Sequence, residues 1–246
     1  MTLFLRRLLA LAFLLAAGLS FICTAHAQDE KKPSEKKSEA PVDPVAKEAA
    51  RIKSWEKQMA TFAEDDAKKP FPTGETVFVG SSSIRMWKLP DSFGERKVLN
   101  RGFGGSQIVD SVTYLDTLVV KHKPKTVVLY AGDNDLASGK PVEKVVGDFK
   151  EFVSKLQAAL PETKIIYIGI KPSIARWKMV EKVRAANREM QSFAGSSKNV
   201  VFIDIDKPML GENGEPNPEL FLKDGLHMTP AGYKVWTALL LPHLDK

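Results

Sequence analysis

Two hydrophobic periods alternate along this chain from residue 76 to residue 244. Short, nearly continuous apolar runs at residues 76–79, 97–99, 126–131, 164–170 and 200–205 read as strands buried on both faces. Between and after them, residues 108–122, 142–160, 177–193 and 230–244 carry apolar side chains at spacings of three and four, the helical period. Strands alternating with helices of ten or more residues predict βαβ units. The expected fold is therefore α/β: one doubly wound domain with a five-stranded parallel sheet and helices on both faces. Residues 45–67 add a helix before the first strand, with Ile52, Trp55, Met59 and Phe62 on one face and Asp43-Pro44 as its start. No internal repeat is visible.

The first 43 residues follow neither period. Arg6 and Arg7 precede an almost unbroken apolar stretch over residues 8–22, and Ala25-His26-Ala27 has the small-x-small form of a cleavage site before Gln28. Residues 1–27 are thus expected to be a signal peptide. A retained N-terminal anchor is the alternative, although the apolar run is short for a membrane span. Cys23 follows the bulky Ile22, which argues against lipidation. Residues 28–43 contain one valine and no aromatic residue, too little apolar surface to offset ordering, and are expected to be a disordered charged linker. The domain then occupies residues 44–246. An exported protein, periplasmic or extracellular and without stable membrane insertion after cleavage, is the expectation.

Cys23 is the sole cysteine, so the mature chain has no disulfide, thiol nucleophile or cysteine metal site. The net charge of +6 falls to +4 with the loss of Arg6 and Arg7, a scattered excess that does not call for nucleic acid as a partner.

Candidate chemistry gathers at the ends of the predicted strands, where open α/β sheets bind ligands. The first strand ends in Gly80-Ser81-Ser82-Ser83, the second runs into Gly102-Phe103-Gly104-Gly105, and the third ends in Gly132-Asp133-Asn134-Asp135. Asp224-Gly225-Leu226-His227 precedes the last helix. The serines alone are open to a plain reading as a turn or helix cap. Together, these residue types are what acyl transfer to water requires: a hydroxyl, a base that takes its proton, a carboxylate to orient that base, and fixed donors for an oxyanion. Of the histidines beyond the signal, His122 and His243 read as surface or helix-end residues. His227 follows an aspartate by three positions in a loop. Gly102-x-Gly104-Gly105 lacks the spacing of a nucleotide site. Asp133 and Asp135 read as structural caps of their loop. In the segment 171–177, Arg176 or Trp177 could line a pocket, or the segment could be an ordinary loop with a buried tryptophan.

These four blocks, in this order, resemble those of the SGNH (GDSL-type) hydrolases, over residues 76–244, and the pattern is similar to the single-domain esterases related to the platelet-activating-factor acetylhydrolase catalytic subunits. The resemblance implies a flavodoxin-like sheet of order 2-1-3-4-5 and ester hydrolysis without metal or cofactor. It implies Ser82 as nucleophile, Asp224 and His227 as its partners, and an oxyanion hole formed by Ser82 N–H, Gly105 N–H and the Asn134 side chain. One departure is plain: Ser81 stands where the family has aspartate and Ser83 follows, so Ser83 stays open as the nucleophile. The expected function is an exported serine esterase acting on short acyl groups, acetyl above all, of a carbohydrate or other small-molecule ester. A lysophospholipase or thioesterase, and a non-catalytic glycan-binding module, are the alternatives.

Overall fold

The computed structural model describes residues 44–244; the signal peptide and linker expected over residues 1–43 lie outside the described residues. Helices α1 (Pro44–Lys53) and α2 (Glu56–Lys68) precede strand β1 (Thr76–Gly80). Two short helices, α3 (Ser82–Arg85) and α4 (Leu89–Phe93), lead to β2 (Val98–Gly102). Next come α5 (Ile108–Thr113), α6 (Leu115–Leu118) and β3 (Thr126–Tyr130). Then α7 (Asp133–Ala137) and α8 (Val142–Ala159) precede β4 (Lys164–Ile168). Finally α9 (Val180–Gly195) precedes β5 (Val200–Ile203), and α10 (Pro230–Leu244) follows. The sheet is all parallel in the order β2-β1-β3-β4-β5, as the resemblance implied.

Strand alternation divides the core into two layers. Val77, Val79, Val127, Leu129, Ile165 and Tyr167 face one side, where Val112, Phe149 and Met190 of α5, α8 and α9 cover them. Phe78, Val128, Tyr130, Ile166 and Ile168 face the other, against Trp87, Phe93, Trp236 and Leu240. Each such side chain contributes about 2 kcal/mol by leaving water. A slip of one residue in β1 would exchange its two faces, so the register Val77↔Val127 is strongly specified. That register sets Gly80 level with Tyr130 and Gly102, and so aligns the strand ends that carry the polar loops.

Three predicted helices are interrupted. The helix expected over residues 45–67 breaks at Ser54-Trp55: Ser54 Oγ donates to the Arg51 carbonyl at 2.5 Å, and Trp55 turns onto Phe103, with ring centroids 5.3 Å apart. The stretch 108–122 divides at Tyr114, whose backbone leaves the helical range as its hydroxyl donates to the Ile52 carbonyl at 3.0 Å. The helix expected from residue 177 starts at Val180. Before it, Ile174–Met179 forms a tighter 3-10 turn with Arg176 out of helical conformation. In each case a tertiary contact outcompetes local periodicity.

His122 corrects a further expectation. It is buried, not exposed, packed edge-on to Phe71 and 3.6 Å from Asp66. Burial pushes its pKa down to about 4, with Arg101 and Lys121 adding to the effect against Asp66.

Candidate active site

Gly80 ends β1 with φ of +135°, and a Cβ there would lie 1.9 Å from the Tyr130 carbonyl oxygen, so no other residue fits. The chain then turns through extended Ser81 into α3, which Ser82 opens. Adjacent serines diverge here. Ser82 is half-buried and its Oγ lies 3.0 Å from His227 Nε2. Ser83 is buried and its Oγ accepts from Lys171 Nζ at 3.2 Å. The short helix is clamped from two sides: Asn100 Nδ2 donates to the Ile84 carbonyl at 2.7 Å, and Tyr233 Oη donates to the Ser83 carbonyl at 2.8 Å.

His227 is oriented by its own loop. Its Nδ1 lies 2.6 Å from Asp224 Oδ2, while Asp224 Oδ1 accepts the N–H groups of Leu226 and His227, each at 2.9 Å. The His227 hydrogen bond and these two backbone donors hold the Asp224 carboxyl down at about 2. An ionised carboxylate at Nδ1 favours the tautomer protonated there, which leaves the Nε2 lone pair facing Ser82 Oγ. The loop is tied to itself as well: Leu222 N–H donates to the His227 carbonyl at 2.7 Å.

In the loop after β2, Gly105 adopts φ of +81°, a left-handed conformation that suits glycine. The N–H groups of Ser82 and Gly105 donate to no other described group. Asn134, in α7, gives one Nδ2 hydrogen to the Ser106 carbonyl at 2.9 Å and accepts from Arg176 Nη2 on Oδ1 at 2.8 Å. An amide carries two hydrogens on its nitrogen. Asp133 Oδ1 accepts Asn134 N–H at 3.0 Å within its own loop, but both Asp135 oxygens accept Ile108 N–H at 3.2 Å, at the start of α5 and not in the loop it was expected to cap. Burial raises Asp135 to about 6, opposed by Lys140 and the Ile108 N–H.

Residue-type reasoning missed Lys171. It is almost fully buried, and its ammonium donates to Ser83 Oγ, to Tyr130 Oη at 2.9 Å and to Asp133 Oδ2 at 2.9 Å. The available signal was its place directly after the fourth strand, at the same sheet edge as the serines. Arg176 is committed to Asn134 and Asp133, whereas Trp177 is partly exposed beneath the Arg184 guanidinium and is not a core residue.

A cleft of about 840 Å³ lies by Thr126, Lys164 and Val200, at the opposite ends of the strands from this chemistry. A second, of about 520 Å³, is lined by Met86, Trp87, Met228 and Tyr233, which follow Ser82 and His227 closely in sequence. Among the described residues, no group of three or more His, Cys, Asp or Glu side chains is placed to hold a metal ion, and no helix is long and apolar enough to cross a membrane.

Known proteins resemble this chain in sequence and in fold. The chain is 26% identical over 171 residues to the platelet-activating factor acetylhydrolase IB subunit alpha2 of Rattus norvegicus, covering 65% of this chain and 71% of the relative. A GDSL-like lipase from Bacteroides thetaiotaomicron superposes with a TM-score of 0.67 at 25% identity, over 76% of this chain and 97% of the other. The fold is also that of an acetylxylan esterase from Geobacillus stearothermophilus, with a TM-score of 0.57 at 15% identity over 70% of this chain and 95% of the other. The model of the GDSL-like lipase/acylhydrolase family matches residues 79–235, more than half of the chain. This protein therefore belongs to the GDSL-like lipase/acylhydrolase family and is a serine ester hydrolase.

Proposed function

We propose that the protein is an exported esterase that removes a short acyl group, acetyl above all, from a carbohydrate or another small alcohol, by way of an acyl-enzyme on Ser82. The observation that carries this reading is the line from Asp224 through His227 to Ser82 Oγ, with contacts of 2.6 and 3.0 Å. His227 Nε2 takes the Ser82 proton as Oγ attacks the ester carbonyl carbon. The resulting oxyanion accepts from Ser82 N–H, Gly105 N–H and the second Asn134 Nδ2 hydrogen, donors each worth about 3 kcal/mol of barrier in comparable sites. When the intermediate collapses, His227 returns the proton to the leaving alkoxide. Water then attacks the acyl carbon, again giving its proton to His227, and the carboxylic acid leaves as Ser82 regains its hydrogen. Ser82 is favoured over Ser83 because Ser83 Oγ is buried against Lys171 and not aimed at His227.

The acetyl preference draws on the relative named an acetylhydrolase. The carbohydrate alcohol draws on the neighbour named an acetylxylan esterase, a likeness of fold alone. Export rests on residues 1–27 as a signal peptide, with residues 28–43 as a linker and residues 44–246 as the hydrolase domain. The test is hydrolysis of p-nitrophenyl acetate, butyrate and octanoate, and release of acetate from acetylated xylo-oligosaccharides. Turnover falling with chain length and acetate release from the sugar support the proposal. A preference for octanoate or for a thioester would move the assignment to a lysophospholipase or thioesterase.

A further inference from the structure

We propose that Arg176 is a positioning residue of this site, which fixes the Asn134 amide with its nitrogen toward the oxyanion and is itself held by the buried pair Asp133–Lys171. The inference rests on the reading of Asn134 as an oxyanion donor.

An asparagine amide can rotate by half a turn and exchange its oxygen for its nitrogen with almost no change of shape. An oxyanion donor cannot tolerate that exchange, because the carbonyl would then face the developing negative charge. At Asn134 the exchange is opposed on both edges. Arg176 Nη2 donates to Oδ1 at 2.8 Å, and Nδ2 donates to the Ser106 carbonyl at 2.9 Å. A half-turn would set the amide nitrogen against a guanidinium and the amide oxygen against a carbonyl oxygen. The guanidinium contact is charge-assisted, the stronger of the two in kind. It also draws electron density toward Oδ1, which makes the remaining N–H a better donor.

Arg176 is itself fixed. Its Nη1 lies 3.0 Å from Asp133 Oδ2, the same oxygen that accepts from Lys171 at 2.9 Å. Side-chain exposure falls along this chain of contacts from 18% at Arg176 to 7% at Asp133 and 1% at Lys171, so the anchor sits in the interior. The backbone contributes as well. Arg176 leaves helical geometry within its 3-10 turn, and the preceding Ala175 N–H donates to the Gly225 carbonyl at 3.0 Å. The segment that carries Arg176 thus lies on the loop that carries Asp224 and His227, and links the two halves of the site. Its one hydrogen bond goes to Asn134 and its ion pair to Asp133, so Arg176 acts through Asn134.

The experiment measures kcat and KM for p-nitrophenyl acetate in wild type, Arg176→Ala, Asn134→Ala and the double variant, with thermal unfolding of each. Expected are a loss of about 10-fold in kcat for Arg176→Ala and about 100-fold for Asn134→Ala, both with KM nearly unchanged. The double variant is expected to be no slower than Asn134→Ala, because Arg176 has nothing left to orient. Arg176→Lys retains a cation for Asp133 and the fold, yet cannot span both partners, and is expected to lose kcat several-fold. Losses that multiply in the double variant, or a loss for either Arg176 variant confined to KM, would overturn the positioning role and leave Asn134 in place. Full activity of Asn134→Ala would instead remove the oxyanion reading, and this inference with it.

Discussion

Replacing Lys171 by methionine tests whether the interior beneath the serines is held by charge. The ammonium touches Asp133, Tyr130 and Ser83 at 2.9, 2.9 and 3.2 Å and is almost fully buried. Methionine fills much of the same volume, so the loss is chiefly electrostatic. Asp133 keeps Arg176 at 3.0 Å and the Asn134 N–H, which places the cost of breaking the buried pair near the lower end of its usual range, about 3 kcal/mol. Orphaning the Tyr130 and Ser83 hydroxyls adds about 1 kcal/mol or more. A total near 4 kcal/mol corresponds to a fall in Tm of roughly 8–16 °C for a domain of this size. The pH dependence has a defined sign. Burial alone would raise the Asp133 carboxyl, but Lys171 and Arg176 outweigh it and hold it below the ordinary carboxylate range. In wild type this carboxylate therefore stabilises the fold above that range, and the contribution is lost as pH falls through the lowered pKa. Without Lys171 burial drives the carboxyl upward, so the variant relieves its buried charge by taking a proton as pH falls. Urea unfolding at pH 7 and pH 4 should show a deficit that narrows on acidification. A deficit under about 1 kcal/mol, or one equal at both pH values, would refute the reasoning.

Gly80→Ala should yield little folded protein, since its Cβ would sit 1.9 Å from the Tyr130 carbonyl oxygen; near-native circular dichroism and Tm would contradict this. Ser83→Ala should retain esterase activity within a few-fold while losing about 1 kcal/mol of stability, read by urea unfolding. Asp224→Asn should lower kcat by roughly 10²–10⁴-fold by upsetting the His227 tautomer, with little change in Tm. Asp224 is depressed to about 2, chiefly by the His227 hydrogen bond, so its stabilising contribution is present above 3.8 and is lost between 3.8 and about 2. Its side chain is 49% exposed, and screening should keep that contribution below about 1 kcal/mol, measured as the wild-type minus Asp224→Asn difference in unfolding free energy at pH 6 and pH 2.5.

The strands were legible because burial on both faces demands continuous apolar runs; their C-terminal ends shifted by one or two residues, and by three at β2. The convergence of Ser82, Asp224 and His227 was legible because parallel strands deliver their loops to one edge. What periodicity could not reveal was competition from distant partners. Trp55 breaks a helix to reach Phe103, and Arg176 leaves a helix to reach Asn134. Periodicity could not mark Lys171 for a related reason: a lysine after a strand reads as solvated surface until Ser83 of α3, Tyr130 of β3 and Asp133 of α7 enclose it. His122 misled in the same way, because its burial depends on Asp66 and Phe71 far along the chain.

The central claim is that Ser82 carries the acyl group, and covalent labelling tests it most directly. Wild-type protein is treated with a fluorophosphonate, digested, and the modified residue located by mass spectrometry. A single adduct on Ser82, formed at a rate that drops sharply in His227→Ala, is the predicted result. An adduct on Ser83, or labelling that is indifferent to His227, would contradict the account.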